Sequence, residues 1–270
     1  MKKIVFVIGC LVLGLFLAPV AMAAVVVTAP PGGGIVGSAH DLAAGYPPAG
    51  PAVTDTLGRI CIYCHTPHHA YKAFGVAIGS GEMAPTAAYD YLPLWNHPFS
   101  TTLAFDTYSN GGGGPLPPSP QASQAMLSGM VIGQSSLLCL SCHDGTQAVN
   151  TYGTVDAKVQ SIGAGYVVGA NIIGKDGYLG NHHPIGFSYA AVQSADTGIR
   201  DAATTLLVVL GAGETIAEHL YGGDGRMECG TCHSVHNIGN SGETLLWRSD
   251  TRSRLCLTCH AKAPLPDPIP

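Results

Sequence analysis

Cys229-Gly230-Thr231-Cys232-His233 is one of four copies of a C-x-x-C-H motif, and these short stretches decide how the chain folds. Each copy supplies two cysteines and a histidine: Cys61, Cys64 and His65; Cys139, Cys142 and His143; Cys229, Cys232 and His233; Cys256, Cys259 and His260. C-x-x-C-H is the pattern of covalent haem c attachment. Both thiols bond to one porphyrin, and the histidine is the proximal ligand of its iron. The sequence therefore predicts four covalently attached haem c groups.

Disulfide bonds and zinc sites also use paired cysteines. Neither explains why every pair is followed at once by histidine. The chain has 12 histidines in 270 residues, so four coincidental placements would have a probability on the order of 10⁻⁶, against a motif that requires them. We therefore favour haem c over both alternatives.

The composition is typical of a protein without a large side-chain core. The 36 glycines and 19 prolines disfavour long helices. The 17 acidic residues outnumber the 12 basic ones, which argues against nucleic-acid binding. We predict the fold class of a multihaem cytochrome c, mostly irregular coil with short helices at the motifs and a few short strands, organised around a haem stack. We also expect a helix at 195–205 and strands within 148–159, 166–173 and 205–209.

The N-terminus has the layout of a secretory signal peptide. Lys2 and Lys3 precede an apolar run at 4–20, and the small residues Ala21-Met22-Ala23 follow it. We predict a signal peptide at 1–23 and an exported protein with no integral membrane segment after cleavage. Its expected place is the extracellular space or outer cell surface, with the periplasm as the alternative.

The rest of the chain divides into two dihaem halves and a tail. The first half covers 24–160 and contains a Gly/Pro-rich insertion near 109–120. The second half, 161–263, carries the third and fourth motifs close together. The proline-rich tail at 264–270 is expected to be extended.

Eight histidines remain to supply distal ligands for four irons. Two imidazoles per iron lower its potential relative to histidine with methionine, and no methionine stands out as a haem ligand. Five candidates for four irons leave a surplus of one: His40, His68, His97, His183 and His236. Three further histidines are weaker candidates: His69, His182 and His219.

Two of the candidates lie three residues after a proximal histidine. His68 follows His65 and His236 follows His233 at this spacing, so each pair of imidazoles leaves a short helix on a similar side. Two such rings cannot occupy opposite faces of one iron. His68 and His236 are therefore expected to reach a different haem and to draw two porphyrins together.

The halves also repeat each other in order. Each reads C-x-x-C-H-x-x-H, then Leu-Trp, then a second C-x-x-C-H. Aligning Leu94-Trp95 with Leu246-Trp247 places His97 opposite Ser249 and leaves it without a counterpart.

The repeat also predicts which iron each histidine serves. By position, His68 would serve the second haem and His236 the fourth. His40 and His183, each upstream of a pair of motifs, would serve the first and the third.

Several stretches resemble the exported multihaem cytochromes of metal-reducing bacteria, and in particular their OmcE-like, filament-forming tetrahaem group. The stretches that carry this resemblance are 61–69, 93–97, 138–145, 181–185 and 229–237. The resemblance implies bis-histidine haems in a continuous stack that crosses from subunit to subunit. It also implies that a histidine of one subunit ligates a haem of the next, with His40 or His97 as the donor.

Electron transfer without catalysis is the function that these features predict. All four motifs end in histidine and the distal candidates outnumber the irons, whereas catalysis at haem needs an open iron position. We expect a subunit of a conductive extracellular filament that self-associates, with redox-partner cytochromes and acceptors such as metal oxides. A soluble periplasmic shuttle is the alternative, and a multihaem oxidoreductase is less expected. The apoprotein should be largely unfolded, because ligation and folding are coupled.

Overall fold

The computed structural model describes eleven stretches of the chain: 30–44, 57–68, 70, 94–102, 104–108, 130–153, 167, 171–203, 205–207, 214–239 and 243–262. The expected signal peptide, the insertion at 109–120, the tail at 264–270 and His69 lie outside these residues.

Helices in the described residues are short. The α-helices are α1 (Gln134–His143), α2 (Tyr189–Ala195), α3 (Cys229–Cys232) and α4 (Arg254–Cys259). The 3₁₀ helices are Leu42–Ala44, Ile60–Tyr63, Lys175–Gly177, Ile216–His219 and Thr251–Ser253.

Each C-x-x-C-H motif lies on one of these helical turns, as predicted. The first overlaps the 3₁₀ helix Ile60–Tyr63, and the others lie on α1, α3 and α4. In the first, third and fourth motifs the histidine amide donates to the carbonyl of the first cysteine, at 2.8, 3.1 and 3.0 Å. A single helical turn therefore fixes where both thiols and the imidazole leave the backbone.

Strands in the described residues are two or three residues long and pair in two antiparallel ribbons. Strand β1 (Phe187–Ser188) pairs with β4 (Arg226–Met227), with Phe187 opposite Met227. Strand β2 (Thr205–Leu207) pairs with β3 (Glu214–Thr215). Strand β2 confirms part of the strand expected at 205–209. The described residues within 148–159 and 166–173 form no strand longer than one residue.

The helix expected at 195–205 is wrong, because α2 ends where that helix was to begin. Ser188 caps the start of α2 by accepting a hydrogen bond from the Ala191 amide at 3.4 Å. At the other end, Asp196 is extended and its side chain accepts from the Gly198 amide at 2.7 Å. Such a local Asp turn competes with helix continuation.

The buried apolar side chains of the described residues form small separate clusters rather than one core. The clusters are Phe187, Val192 and Met227; Ile132, Leu137, Leu140 and Leu179; Tyr63 and Tyr152; and Tyr189 and Ile216. Few short helices, little strand and mostly coil agree with the expected class of a small multihaem cytochrome.

The two halves share a backbone hydrogen-bond pattern beside their first motifs. The Thr66 amide donates to the Leu94 carbonyl at 2.9 Å, and the Ser234 amide donates to the Leu245 carbonyl at 3.0 Å. Leu94 and Leu245 both have positive φ, of 53° and 63°. Because positive φ is uncommon outside glycine, its presence at both leucines marks them as equivalent positions.

This equivalence shifts the expected alignment of the halves by one residue. Counting on from the two leucines, His97 corresponds to Arg248 rather than to Ser249. The amides of Asn96 and Trp247 occupy the same place, each donating to the carbonyl of the second cysteine of the preceding motif, at 2.9 and 3.0 Å. The sequence alignment matched the tryptophans, but the register is set by backbone pairing that does not depend on side-chain identity.

Candidate haem-binding site

The cysteines of all four motifs are free of disulfide bonds. Across the described stretches, no group of three or more His, Cys, Asp or Glu side chains is placed to hold a metal ion. The motif histidines are instead arranged in pairs with histidines from elsewhere in the chain.

The first motif histidine faces a histidine from the second half. The ring centroids of His65 and His236 are 6.1 Å apart and their planes are inclined by 31°. Two imidazoles on opposite faces of one metal, each at a metal–nitrogen distance of about 2 Å, have centroids about 6 Å apart. The spacing therefore fits two axial ligands of one haem iron.

The second and fourth motifs show the same arrangement. His143 faces His40 and His260 faces His183, each with ring centroids 6.3 Å apart. The planes are inclined by 66° and 73°. Three of the four motif histidines thus each face a different histidine from outside the motifs, at one common spacing.

Hydrogen bonds orient several of these rings. Nδ1 of His143 lies 2.9 Å from the Asn171 carbonyl oxygen. Nδ1 of His40 lies 3.1 Å from the Val235 carbonyl oxygen, and Nδ1 of His183 lies 2.9 Å from the Pro184 carbonyl oxygen. A neutral ring that donates from Nδ1 leaves the lone pair of Nε2 free to bind a metal.

Burial also favours the neutral form of several rings. It is the main cause that lowers the pKa of His40, His236 and His260 below the ordinary value. Because imidazole must be unprotonated to bind a metal, these residues suit the role of axial ligand.

The pairs differ from the assignment that the repeat predicted. His40 faces the second motif rather than the first, and His183 faces the fourth rather than the third. The two still behave alike, since each reaches past the first motif of its half to the second. His236 faces the first motif rather than the fourth, because it crosses between halves.

His97 does not face a motif histidine. It is fully buried, with Nδ1 2.7 Å from the Pro98 carbonyl oxygen and Nε2 3.1 Å from that of Ala148. Nε2 also lies 3.3 Å from the sulfur of Cys142. Its counterpart Arg248 is buried as well. Both nitrogens of His97 are thus occupied by protein atoms, and the side chain packs beneath the second motif.

Besides His97, two of the expected iron ligands in the described stretches face no imidazole at this spacing. These are His233, the proximal histidine of the third motif, and His68; both side chains are exposed. Two weaker candidates also lie outside the pairs. His219 bonds to Glu214 at 3.0 Å and packs on Trp247 with centroids 4.8 Å apart, while His182 is half-buried.

The second and third motifs touch each other. The thiols of Cys139 and Cys229 interact, which raises the pKa of Cys139 and lowers that of Cys229. In the haem-loaded protein both sulfurs would be thioethers. The Cys229 amide also donates to Ser136 Oγ at 3.0 Å, which ties α3 to α1.

Glu228 lies at this contact and was missed in the sequence. Its carboxylate is 1% exposed and accepts hydrogen bonds from the Gly133 amide, at 3.0 Å, and from Ser136 Oγ. Burial raises the pKa of Glu228 to about 7. The sequence feature that could have pointed to Glu228 is its place directly before a motif, in a chain with only 11% charged residues.

The motifs and their placement support a class of protein, the multihaem c-type cytochromes. A family model, the doubled CXXCH motif, matches residues 223–264, which contain the third and fourth motifs. The match indicates covalently bound haem c and haem-based electron transfer. No curated protein matches the chain. In the residues that the structure describes, no helix is long and apolar enough to cross a membrane.

Proposed function

We propose that this protein carries electrons through four covalently bound haem c groups, each held between two histidines. One observation carries the proposal: three motif histidines face three separate imidazoles at the spacing of axial ligands. Haem c supplies a one-electron iron couple when bound. Two imidazoles per iron leave no position for a substrate, which favours electron transfer over catalysis.

The chain also holds its motifs close together. The contact of Cys139 with Cys229 brings two attachment sites side by side. The pairing of His65 with His236 ties the first attachment site to the segment that follows the third. Because electron-transfer rates fall steeply with distance between redox groups, such packing suits a chain of electron hops.

The protein in this proposal is exported and assembles into a conductive filament at the cell surface. Its partners are further copies of itself, redox-partner cytochromes and external acceptors such as metal oxides. The low charged fraction of 11% supports assembly over diffusion, because a diffusing carrier usually relies on a steering field. A soluble periplasmic shuttle with the same haems is the second candidate.

Haem counting and spectroscopy test the electron-carrier proposal. Mass spectrometry of the purified protein should give four haems per chain. The oxidised, assembled protein should have only low-spin iron in its electron paramagnetic resonance (EPR) spectrum, and the reduced form should not bind carbon monoxide. High-spin iron in the assembled protein would favour catalysis instead.

Electron microscopy separates the filament from the shuttle. Haem-stained material sheared from the cell surface should contain uniform filaments, and mass spectrometry should identify this chain in them. A discrete monomer confined to the periplasm would leave the haems in place but make the protein a shuttle.

A further inference from the structure

The second and fourth motifs each contact a buried side chain from the equivalent position of their half. In the first half this is His97, whose Nε2 lies 3.3 Å from the sulfur of Cys142. In the second half it is Arg248, which donates from Nη1 to Thr258 Oγ1 at 3.0 Å, directly before Cys259. The two halves therefore place an imidazole and a guanidinium at corresponding sites.

These two side chains differ in charge at pH 7. Burial is the main cause that lowers the pKa of His97 below its ordinary value, so its ring is neutral. A guanidinium keeps its proton in proteins, so Arg248 carries a positive charge into the interior of its half. The charge at this position is therefore zero in the first half and positive in the second.

Two further guanidinium groups lie near Arg248. Arg200 donates from Nε to the Leu257 carbonyl at 3.0 Å. Arg254 is buried in α4, where its carbonyl accepts from Thr258 Oγ1 at 3.0 Å. After burial itself, Arg254 and Arg200 are the causes that lower the pKa of Arg248, so the three charges act on one another. We call Arg200, Arg248 and Arg254 the arginine cluster.

Other charged groups also lie near the fourth motif. Lys262 and Asp196 both act on His260, the proximal histidine, and their effects on its pKa have opposite signs. Because these two charges oppose each other, the arginine cluster is the larger group of like charges at this motif.

Arg248 lines a cavity that is shared by the third and fourth attachment sites. Cys232 of the third motif and Cys259 of the fourth line the same cavity. Ile216, Trp247 and Leu255 give it an apolar wall. A charge in such surroundings acts more strongly on its neighbours than one in water, because the local dielectric constant is low. Arg248 is therefore placed to act on two haems.

We propose that the arginine cluster raises the reduction potentials of the third and fourth haems and so draws electrons towards the second half. Reduction adds one electron to an iron, converts it from ferric to ferrous and lowers the charge of the site by one. A fixed positive charge nearby destabilises the ferric form more than the ferrous form, which raises the potential. The inference rests on the proposed function, since it needs the haems to be bound.

The test compares loss of the charge with its retention in the haem-loaded full chain. Arg248→Gln removes the charge, whereas Arg248→Lys keeps it on a different shape. Arg252→Gln is the matched control, because Arg252 lies on the turn directly before α4 but is exposed. Spectroscopic titration with dithionite gives the four reduction potentials, and NMR signals of the haem methyl groups identify the haems that shift. Mass spectrometry and EPR verify haem number and spin state.

In Arg248→Gln, the third and fourth haems should each become about tenfold harder to reduce, which is a downward shift of about 59 mV for a one-electron couple. Arg248→Lys should stay near the wild type. Arg252→Gln should have a smaller effect that added salt removes, because salt screens exposed charges. The shift in Arg248→Gln should persist in salt.

If Arg248→Gln fails to take up four haems, Arg200→Gln decides instead. Arg200 is half-buried, and loss of its charge should lower the potential of the fourth haem. Three results would overturn the inference: unchanged potentials in the charge-removing variant, an equal shift in Arg248→Gln and Arg248→Lys, or a shift confined to the first and second haems. None of these removes the electron-carrier proposal, which fails separately if the wild type carries fewer than four haems.

Discussion

His65 and His236 face each other across 6.1 Å although they belong to different halves of the chain. His236 lies three residues beyond the proximal histidine of the third motif, yet it reaches the first. The binding site of one haem is therefore completed by the segment that attaches another, and damage to that segment should affect two redox centres.

Replacing His236 should remove one of the two ligands of one haem iron without loss of haem. In a His236→Ala variant, four haems should remain attached while one in four becomes high-spin. The reduction potential of that haem should rise, because losing an imidazole destabilises the ferric form. EPR and a redox titration measure both effects. Four unchanged low-spin haems would show that His236 is not a ligand.

Replacing His97 should cost stability but leave ligation intact. A His97→Leu variant leaves the buried Ala148 carbonyl oxygen, and the half-buried Pro98 carbonyl oxygen, without their ring partner. An unsatisfied buried polar group costs about 1–3 kcal/mol, so the free energy of unfolding should fall by about that amount. Urea unfolding of the holoprotein measures it. A His97→Leu variant with a high-spin iron would instead identify His97 as a ligand.

Glu228 should make stability depend on pH in a defined window. Burial raises the pKa of Glu228 to about 7, above its ordinary value of 4.5, so the folded protein binds this proton more tightly than the unfolded chain. The contribution to stability is fully present below pH 4.5 and is lost as the pH rises through about 7. By linkage it amounts to about 3 kcal/mol.

A Glu228→Gln variant should lose this part of the pH dependence, because the amide keeps the shape of the side chain without titrating. Urea unfolding between pH 4.5 and 8 gives the difference from the wild type. Asp224→Asn is the control, since Asp224 bonds to Arg226 at 3.1 Å in a more exposed position. An identical pH profile for Glu228→Gln and wild type would show that Glu228 ionises normally.

Haem attachment should precede folding. Burial raises the pKa of Cys64, Cys142 and Cys232 to about 12 in the folded arrangement. At pH 7 only about 10⁻⁵ of such thiols would be thiolate, the reactive form. We expect the apoprotein to be largely unfolded, with all eight thiols alkylated at similar rates.

The exposed Cys61 and Cys256 provide an internal reference for this experiment. Time-resolved alkylation with peptide mass spectrometry compares them with Cys64, Cys142 and Cys232. Strong, selective protection of these three half-buried thiols, together with native-like far-UV circular dichroism, would show that the apoprotein folds before haem is attached.

Local features of the fold followed from the sequence, because they depend on neighbouring residues. The spacing within each motif predicted a short helical turn, and the structure has one at all four. The three-residue spacing of His233 and His236 predicted that they serve different irons, and the pairing of His236 with His65 agrees.

Long-range features did not follow from the sequence, because no local pattern encodes them. Nothing near His40 indicates that it reaches His143 rather than His65. The equivalence of Leu94 with Leu245 rests on positive φ and backbone hydrogen bonds, whereas the sequence favoured the matching tryptophans. Glu228 is recognisable only once α1 and α3 are seen together.

The pairing of His65 with His236 also sets the order in which the histidine pairs can form as the chain is made. The chain is made from its N-terminus, so His40 emerges before His143 and their pair can close as soon as the second motif is complete. The pair of His65 and His236 must wait until the third motif has been made. A chain truncated before the third motif would therefore leave its first iron with an open coordination position, where small molecules could react.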